Sequence, residues 1–522
     1  MAELESVSNL YSTIISRSAK TTKIEWMNSS KVLELPACRT LTFNKNGDFL
    51  AISDSQGVRI VSTEDYEKPL WQVAKPKTVE VKFSPLAKYL AIWEPVSKDK
   101  TTETVPCNLH VYNWRENKLV MEVVHRKQSD WSPQWTSNEF LCSRLANNSD
   151  ILFYEDHNFS QVKCKLHMPK IMCYSLAASP ASYHVVISVL GSKGEPSFVR
   201  LYKYPNFSSP SDALANKSFF KAERTELYWN NEGTSLLTLT FSDNSEESYY
   251  GEQHLHYIST KQESCQVHRA KPGPIYSIAW HPNSKEFCVV YGLMPAKATL
   301  YNLKCEPVFD FGTAPRNLAY FNPFGNLLCL AGFGNLNGGM EFWDVEKHKM
   351  LNKFSVVDTT YFEWCPDGVH FLAATLSPRL RVSNGLKIWH YSGIKLRSWE
   401  TNELYSAIWK PVKEGTHTEP TLKFTASQAA VVSATATAKP AAYVPPALRN
   451  KMTSSTSGTP AATSAAVYKP KFREDYELPS NLKEQENKPM SKSAMKNKKK
   501  RDNKKAKKLG SSPEKADDDE EE

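Results

Sequence analysis

The chain has 522 residues, of which 40% are hydrophobic and 23% charged, and its formal net charge is +9. This composition is typical of a soluble protein with a sizeable core, and no stretch approaches the ~18 consecutive apolar residues of a transmembrane helix. The opening MAELESVSNL has two glutamates among its first five residues and no apolar segment, so it predicts no secretory signal and a cytoplasmic protein.

The ten cysteines are scattered singly, and no C-x-x-C pair occurs. That spacing disfavours a structural zinc site or a thioredoxin-like motif. Several cysteines lie within apolar runs such as EFCVVYG and LLCLAGF. We therefore expect reduced thiols that fill a core, as in cytosolic proteins.

One short phrase recurs through the first four-fifths of the chain. It is an alternating run ending in an aromatic residue, then a turn rich in Pro, Asn, Asp and Gly, then an apolar strand, as in LTFNKNGDFLAIS. We call the aromatic positions anchors: Phe43, Phe83, Trp135, Ala178, Trp229, Trp280, Phe321, Trp364 and Trp409. Successive anchors lie 40 to 52 residues apart, and Ala178 is the one without an aromatic side chain.

A second phrase follows each of the first eight anchors. Its instances are VRIVST, LHVYNW, ILFYED, VRLYKY, LHYIST, ATLYNL, MEFWDV and LKIWHY. Most alternate apolar and polar residues, and all are rich in β-branched and aromatic types. This pattern predicts strands with one buried face.

A repeat of this length with several short strands has the size of one propeller blade, which must stack with its neighbours to bury its faces. The sequence thus predicts an all-β fold, a WD40-like propeller of nine blades over residues 1–425. Eight or ten blades, or separate β domains, are the alternatives. The last anchor lacks its later strands and NLYSTIISR near the start supplies one, so the first and last segments should share a blade.

Composition changes near residue 426. Residues 426–487 are rich in Ala, Ser, Thr and Pro, which predicts a flexible linker without a core. Residues 488–522 hold a basic block followed by six consecutive acids, Asp517 to Glu522, and are expected to be disordered. The block itself, residues 488–508, has eleven Lys or Arg and one acid.

Clustered lysines attract phosphate backbones without reading base sequence. We predict RNA or ribosome contacts by these residues: Lys496, Lys498, Lys499, Lys500, Arg501, Lys504, Lys505, Lys507 and Lys508. A targeting signal or a merely solvated tail are the alternatives. Ser512 precedes Pro513 and is a candidate phosphorylation site, where a phosphate would weaken the attraction of the nearby lysines for RNA.

Motifs for catalysis or cofactor binding are missing from the sequence. It contains no P-loop, no G-x-S-x-G elbow and no H-E-x-x-H, so we predict no enzyme activity, no cofactor and no metal site. Gly332-Phe333-Gly334 begins like a dinucleotide fingerprint, but Asn337 stands where the third glycine belongs, which favours a β-turn. His254 and His256 share one face of a strand and are interpreted as edge positions rather than metal ligands.

Longer phrases carry a family resemblance. GSKGEPSFVRLY begins at Gly191, SYYGEQHLHYI at Ser248, LAGFGNLNGGMEFWDV at Leu330 and YVPPALRNK at Tyr443. Together they closely resemble the eukaryotic translation initiation factor 2A family, from about residue 40 to Lys508. The resemblance implies a nine-bladed propeller, in agreement with the anchor count.

The resemblance further implies a factor that directs initiator methionyl-tRNA to the small ribosomal subunit, dependent on the start codon rather than on GTP, for particular mRNAs. Family members often continue into a Lys- and Glu-rich helical segment, whereas this sequence ends in an acidic run. Contacts made by such a helix are therefore in doubt here.

Two interpretations of the whole chain stay open. The first is an initiation factor whose propeller is a platform and whose tail binds RNA, with the small subunit, initiator tRNA, mRNA and other initiation factors as partners. The second is a non-enzymatic scaffold for protein complexes, similar to the propeller-bearing subunit of initiation factor 3. Arg316, Arg379 and Arg381 are expected to be solvated or paired at blade edges, with a binding face as the less favoured alternative.

Overall fold

The computed structural model describes residues 12–96, 105–179, 183–191, 195–220, 222–242 and 251–423. Within these ranges, 36 strands form nine four-stranded antiparallel sheets. The one helix among the described residues is a single 3₁₀ turn, Pro210–Asp212. The predicted nine-bladed propeller is therefore confirmed over the described part of the chain.

One strand of each blade lies on the inside of the ring. Contacts between the inner strands of neighbouring blades identify these strands. The innermost strands of blades 2 to 9 and then blade 1 are β4 (Thr40–Phe43), β8 (Glu80–Phe83), β12 (Gln134–Trp135), β16 (Ile171–Leu176), β20 (Arg224–Trp229), β24 (Ile275–Trp280), β28 (Leu318–Phe321), β32 (Tyr361–Trp364) and β36 (Leu404–Trp409). The anchors of eight blades are the last residues of these strands. The weak anchor Ala178 instead lies two residues beyond the end of β16.

The remaining strands follow outward in chain order within each blade. The second strands are β5 (Phe49–Ser53), β9 (Tyr89–Trp93), β13 (Leu141–Asn147), β17 (His184–Val189), β21 (Ser235–Ser242), β25 (Glu286–Tyr291), β29 (Leu327–Gly332), β33 (His370–Thr375) and β1 (Thr13–Ser18). The third strands are β6 (Val58–Ser62), β10 (Leu109–Asn113), β14 (Asp150–Glu155), β18 (Ser197–Lys203), β22 (Glu252–Ser259), β26 (Ala296–Asn302), β30 (Gly339–Asp344), β34 (Gly385–His390) and β2 (Thr21–Trp26). The outer strands are β7 (Pro69–Val73), β11 (Lys118–Val123), β15 (Cys164–His167), β19 (Ala213–Phe219), β23 (Ser264–Gln266), β27 (Pro307–Ala314), β31 (Lys349–Ser355), β35 (Lys395–Glu400) and β3 (Val32–Pro36). The second phrases of the sequence are thus the third strands.

The two ends of the propeller close the ring in blade 1. β1 pairs antiparallel with β36, with Ile14 opposite Trp409 and Ile15 opposite Ile408. All four side chains are apolar, and both isoleucines of β1 are completely buried. The predicted sharing of one blade is confirmed, and the early segment supplies three of its four strands.

The core is distributed between blades rather than gathered at one centre. Between blades 2 and 3, for example, Ile60 and Trp71 pack against Leu90 and Ile92. One blade's face is too thin to exclude water alone, so every blade depends on both neighbours for burial. This explains why apolar residues alternate along the strands and recur with the blade period.

Three anchor tryptophans tie consecutive blades together with the same hydrogen bond. The indole N–H donates to the main-chain carbonyl of the residue before the preceding anchor, from Trp280 to Tyr228 at 2.9 Å and from Trp364 to Tyr320 at 3.1 Å. The bond from Trp409 to Glu363 is longer, at 3.4 Å. Trp135 and Trp229 do not form it, and their indole N–H groups have no hydrogen-bond partner among the described residues.

The cysteines follow the sequence prediction. All ten are free thiols, and five of them are buried. Burial raises the pKa of the Cys288 thiol to about 12 and raises the pKa of Cys329 well above its usual value. A thiol with so high a pKa stays protonated at neutral pH and behaves as a small apolar side chain.

Candidate nucleic-acid interface

The propeller has two faces that differ in the connections they carry. Because the four strands of a blade alternate in direction, the connections from second to third strand and from outer strand to next blade lie on one face. We call this the loop face. The turns from first to second strand and from third to outer strand lie on the opposite face, the turn face.

The two faces carry opposite net charge. Among the described residues, the loop-face connections contain twelve lysines and arginines against seven aspartates and glutamates. The turns of the turn face contain ten against thirteen. Since the whole chain is only modestly basic, this division makes the loop face the side that attracts polyanions.

Several loop-face cations have no acidic partner among the described residues. Lys77, Arg126 and Lys127, in blades 2 to 4, are exposed and form no ion pair there, and the same holds for Arg379 and Arg381 in blade 9. On the turn face, by contrast, Lys163 pairs with Glu155 at 3.2 Å and Lys347 with Asp344 at 2.9 Å. Unpaired exposed cations can neutralise backbone phosphates and so release the counterions condensed on a nucleic acid.

The longest loop-face connection between blades is residues 124–133, which joins β11 to β12. Its start is fixed by His125, whose backbone N–H donates to the Asn108 side chain at 2.7 Å and whose carbonyl accepts from the Trp93 indole at 3.0 Å. A groove of about 570 Å³ separates this connection from residues 145–148, and Arg126 and Lys127 line it. We call it the basic groove.

The arginines singled out from the sequence separate into two classes. Arg316 is 2% exposed, and its guanidinium donates to Glu341 at 2.7 Å and to the Phe311 carbonyl at 2.9 Å. It is therefore a paired structural residue, as expected. Arg379 and Arg381 are exposed on the loop face without an ion pair to a described residue, which agrees with the expected solvation, and their role in a binding face stays a prediction.

Arg379 owes its position to a glycine in the neighbouring blade. Gly334 has a φ of +77°, and a Cβ added there would lie 2.6 Å from the Arg379 guanidinium. Asn384 holds the Arg379 connection by donating to the carbonyls of Thr375 at 3.0 Å and Leu380 at 2.8 Å. The Gly332-Phe333-Gly334 cluster is thus a tight connection after β29, and no helix follows it in the described chain.

The last described residues cross the turn face as a strap, residues 410–423. The Asn326 side chain donates to the Pro420 carbonyl at 3.0 Å, and the Lys423 N–H donates to the Tyr391 hydroxyl at 2.9 Å. Leu422 packs against the core between blades 8 and 9. The sequence analysis placed these residues in the propeller (1–425) but did not predict the strap, because they carry no alternating apolar pattern.

The lysine block (residues 488–508) and Ser512 lie outside the described residues, so their predicted roles stay predictions. In the part of the chain that is described, no group of three or more His, Cys, Asp or Glu side chains could hold a metal ion. No helix among those residues is long and apolar enough to span a membrane. His256 packs its ring on Phe219, with centroids 5.0 Å apart, and is a core contact between blades 5 and 6.

Comparison with known proteins shows which family this chain is similar to. Residues 217–407 match the family model described as eukaryotic translation initiation factor eIF2A. The chain is 40% identical over 430 residues to eukaryotic translation initiation factor 2A of Drosophila melanogaster, covering 80% of this chain and 67% of the relative. It is 35% identical over 455 residues to the Caenorhabditis elegans factor, covering 82% of this chain and 79% of that relative.

The chain belongs to the eukaryotic translation initiation factor 2A family. The crystal structure of a eukaryotic initiation factor is also similar, with 34% identity and a TM-score of 0.70, over 78% of this chain and 100% of that one. The resemblance found in the sequence is therefore confirmed, together with the nine-bladed propeller that it implied. The chain is a translation initiation factor.

Proposed function

We propose that this factor directs initiator methionyl-tRNA to the small ribosomal subunit in the cytoplasm, in a codon-dependent and GTP-independent manner, for particular mRNAs. It acts as a binding platform rather than as an enzyme. The single observation that carries this proposal is the charge division of the propeller. Among the described residues, the loop-face connections carry more cations than anions, and the turns of the turn face carry more anions than cations.

The loop face suits RNA on electrostatic grounds. Lys77, Arg126 and Lys127 are exposed without acidic partners among the described residues and belong to neighbouring blades, so one backbone can contact them together. Each phosphate neutralised in this way releases condensed counterions, which makes affinity steeply dependent on salt. Rigid strands below these connections keep the cations in place and limit the entropy lost on binding.

The lysine block adds a second set of phosphate contacts in this proposal. Its nine central cations, from Lys496 to Lys508, supply sequence-independent attraction that raises the rate of encounter with rRNA, mRNA or tRNA. Phosphorylation of Ser512 places ~−1.5 to −2 charges near these lysines and weakens that attraction. The six terminal acids compete with RNA for the same cations.

The alternative function is a scaffold for protein complexes. Exposed apolar side chains on the loop face favour it, since Phe220 is 80% exposed, Val382 66% and Val357 59%. A protein partner would bury such side chains, whereas a phosphate backbone would not. Binding to a protein partner would also depend less on salt than binding to RNA.

Co-sedimentation of the full chain with purified small subunits, over a range of salt concentrations, tests the proposal. We expect binding that weakens steeply with salt, strengthens with initiator tRNA and declines when residues 485–522 are removed. Binding that changes neither with salt nor with removal of residues 485–522 would support the scaffold function. Cross-linking with and without initiator tRNA then identifies the RNA that is contacted.

A further inference from the structure

In blades 3, 7 and 8, the turn from the third to the outer strand contains a residue with left-handed backbone geometry. The residues are Asn117, Cys305 and His348, with φ angles of +53°, +64° and +52°. Each lies within two residues of the start of its outer strand, β11, β27 or β31. Because the three positions match in backbone conformation and in place, their side chains should leave the turn in the same direction.

In two of these blades the direction is seen from a contact with the outer strand of the preceding blade. The Asn117 side-chain oxygen accepts a hydrogen bond from the indole N–H of Trp71, in β7 of blade 2, at 2.8 Å. The His348 ring stacks on Phe309, in β27 of blade 7, with ring centroids 4.5 Å apart. The same position in blade 7 should therefore face β23, the outer strand of blade 6.

Cys305 occupies that position, and the side chain that it meets is Cys265, the middle residue of β23. Both cysteines pack against the apolar cluster between blades 6 and 7. Burial raises the pKa of the Cys305 thiol, and the Cys265 sulfur, which is close enough to interact, raises it further. Both side chains are free thiols and half-buried, with exposed residues on either side of each in the chain. Small solutes can therefore reach this pair, whereas Cys288 and Cys329 are completely buried.

We propose that Cys265 and Cys305 form a site of reversible oxidation, where a peroxide converts the two thiols into a disulfide between blades 6 and 7. Cys265 reacts first, because the raised pKa of Cys305 keeps that thiol protonated at neutral pH. The Cys265 sulfur attacks one oxygen of hydrogen peroxide, the O–O bond breaks, and one water leaves after proton transfer, so that Cys265 becomes a sulfenic acid. The Cys305 sulfur then attacks the Cys265 sulfur, the S–O bond breaks and a second water leaves. Two electrons thus pass from the two sulfurs to the peroxide, and reduction by a dithiol restores both thiols.

The disulfide fastens the shortest of the outer strands. β23 has three residues and pairs with β22 through His256, Tyr257 and Ile258, whereas the other outer strands have four to eight residues. A covalent link to blade 7 restricts the unfolded chain and holds the edge of blade 6 against local opening. Disulfides in cytosolic proteins are usually transient and redox-sensing, which suits a pair of thiols that is free in the folded chain. Such a site is independent of RNA binding on the loop face and of the proposed function.

Peptide mapping of the full chain by mass spectrometry, before and after treatment with hydrogen peroxide, tests the site. We expect a peptide cross-linked between Cys265 and Cys305, a loss of two of the ten free thiols and a rise of about 2–5 °C in Tm, all reversed by dithiothreitol. Cys305→Ser should abolish both the cross-link and the rise in Tm. Cys164→Ser is the matched control, because Cys164 is also a half-buried cysteine in an outer strand, and this variant should oxidise like the wild type.

Three results of the mapping would overturn the proposal: all ten thiols survive the peroxide, Cys265 becomes a sulfinic acid without a cross-link, or it joins a cysteine other than Cys305. A rise in Tm that persists in Cys305→Ser would overturn the stabilising role of the cross-link. Mapping of the wild type requires no substitution, so the test stands even if Cys305→Ser folds poorly.

Discussion

The indole N–H of Trp364 donates to the main-chain carbonyl of Tyr320 at 3.1 Å and joins the inner strands of blades 8 and 9. The same bond links two other pairs of blades, through Trp280 and Trp409. These three tryptophan anchors are thus more than core-filling aromatic residues. They hold neighbouring inner strands in register, where the blades approach most closely.

Replacing Trp364 by phenylalanine tests this bond. We expect Trp364→Phe to lower the free energy of unfolding by about 1–3 kcal/mol, because the Tyr320 carbonyl loses its donor and part of the ring is removed. Trp343→Phe is the matched control, since the Trp343 indole N–H is buried without a partner among the described residues. Urea denaturation should show a smaller loss of stability for the control. Equal losses would mean that the hydrogen bond contributes nothing.

Protonation of Glu363, which lies in the inner strand β32, should make the stability of the propeller depend on pH. Burial raises the pKa of its carboxyl to about 7, although the Trp409 N–H and the Tyr361 hydroxyl donate to it. Between pH 4.5 and about 7 the folded chain therefore binds more protons at this site than the unfolded chain, and stability falls as pH rises. Glu363→Gln should remove this decline. The free energy of unfolding of the variant minus that of the wild type should therefore be about 2 kcal/mol greater at pH ~8 than at pH ~5, as measured by thermal denaturation. A gap independent of pH would contradict the burial effect.

His256 should have the opposite influence on the acid side. Burial against Phe219 lowers the pKa of its ring from 6.5 to about 4. The unfolded chain thus binds more protons at this site between these two values, and stability falls as pH drops from 6.5 towards 4. His256→Gln should flatten that decline in a series of melting curves. A decline in His256→Gln as steep as that of the wild type would contradict this effect.

The strap should contribute to stability although it forms no strand. Ending the chain after residue 409 removes the interactions of Pro420, Leu422 and Lys423 with blades 8 and 9. We expect the free energy of unfolding to fall by about 1–3 kcal/mol, from one half-buried leucine and several hydrogen bonds. A chain ending after residue 423 is the control and should melt like the full chain. Identical melting of both truncations would show that the strap is dispensable.

The sequence predicted the blades well because each blade repeats the same physical problem. Anchors such as Trp280 and Trp364 recur because most inner strands end in an aromatic side chain at the contact with the preceding blade. Apolar and polar residues alternate in the third strands because each sheet packs between two neighbouring blades. Both signals are local, so they are visible without knowledge of the ring.

The interface was less predictable because it depends on the closed ring. Lys77 and Arg126 are distant in sequence and become one surface only when the blades stack. Arg316 and Arg379 look alike in sequence, yet one is buried beside Glu341 and the other is exposed over Gly334. The missing hydrogen bond of Trp135 is invisible without the structure, since its anchor matches the others.

The most direct test of RNA binding by the loop face compares charge reversal on the two faces. The loop-face variant changes Lys77, Arg126 and Lys127 to Glu, and the matched turn-face variant changes Lys261, Lys285 and Lys304, which are exposed and free of ion pairs with described residues. Affinity for small subunits is measured against salt for both. We expect the loop-face variant to bind about tenfold or more weakly, with a slope of log K against log salt reduced by ~0.9 for each phosphate that is no longer neutralised, and the turn-face variant to bind like the wild type. Equal weakening in both variants, or weakening confined to the turn-face variant, would contradict the assignment of RNA binding to the loop face.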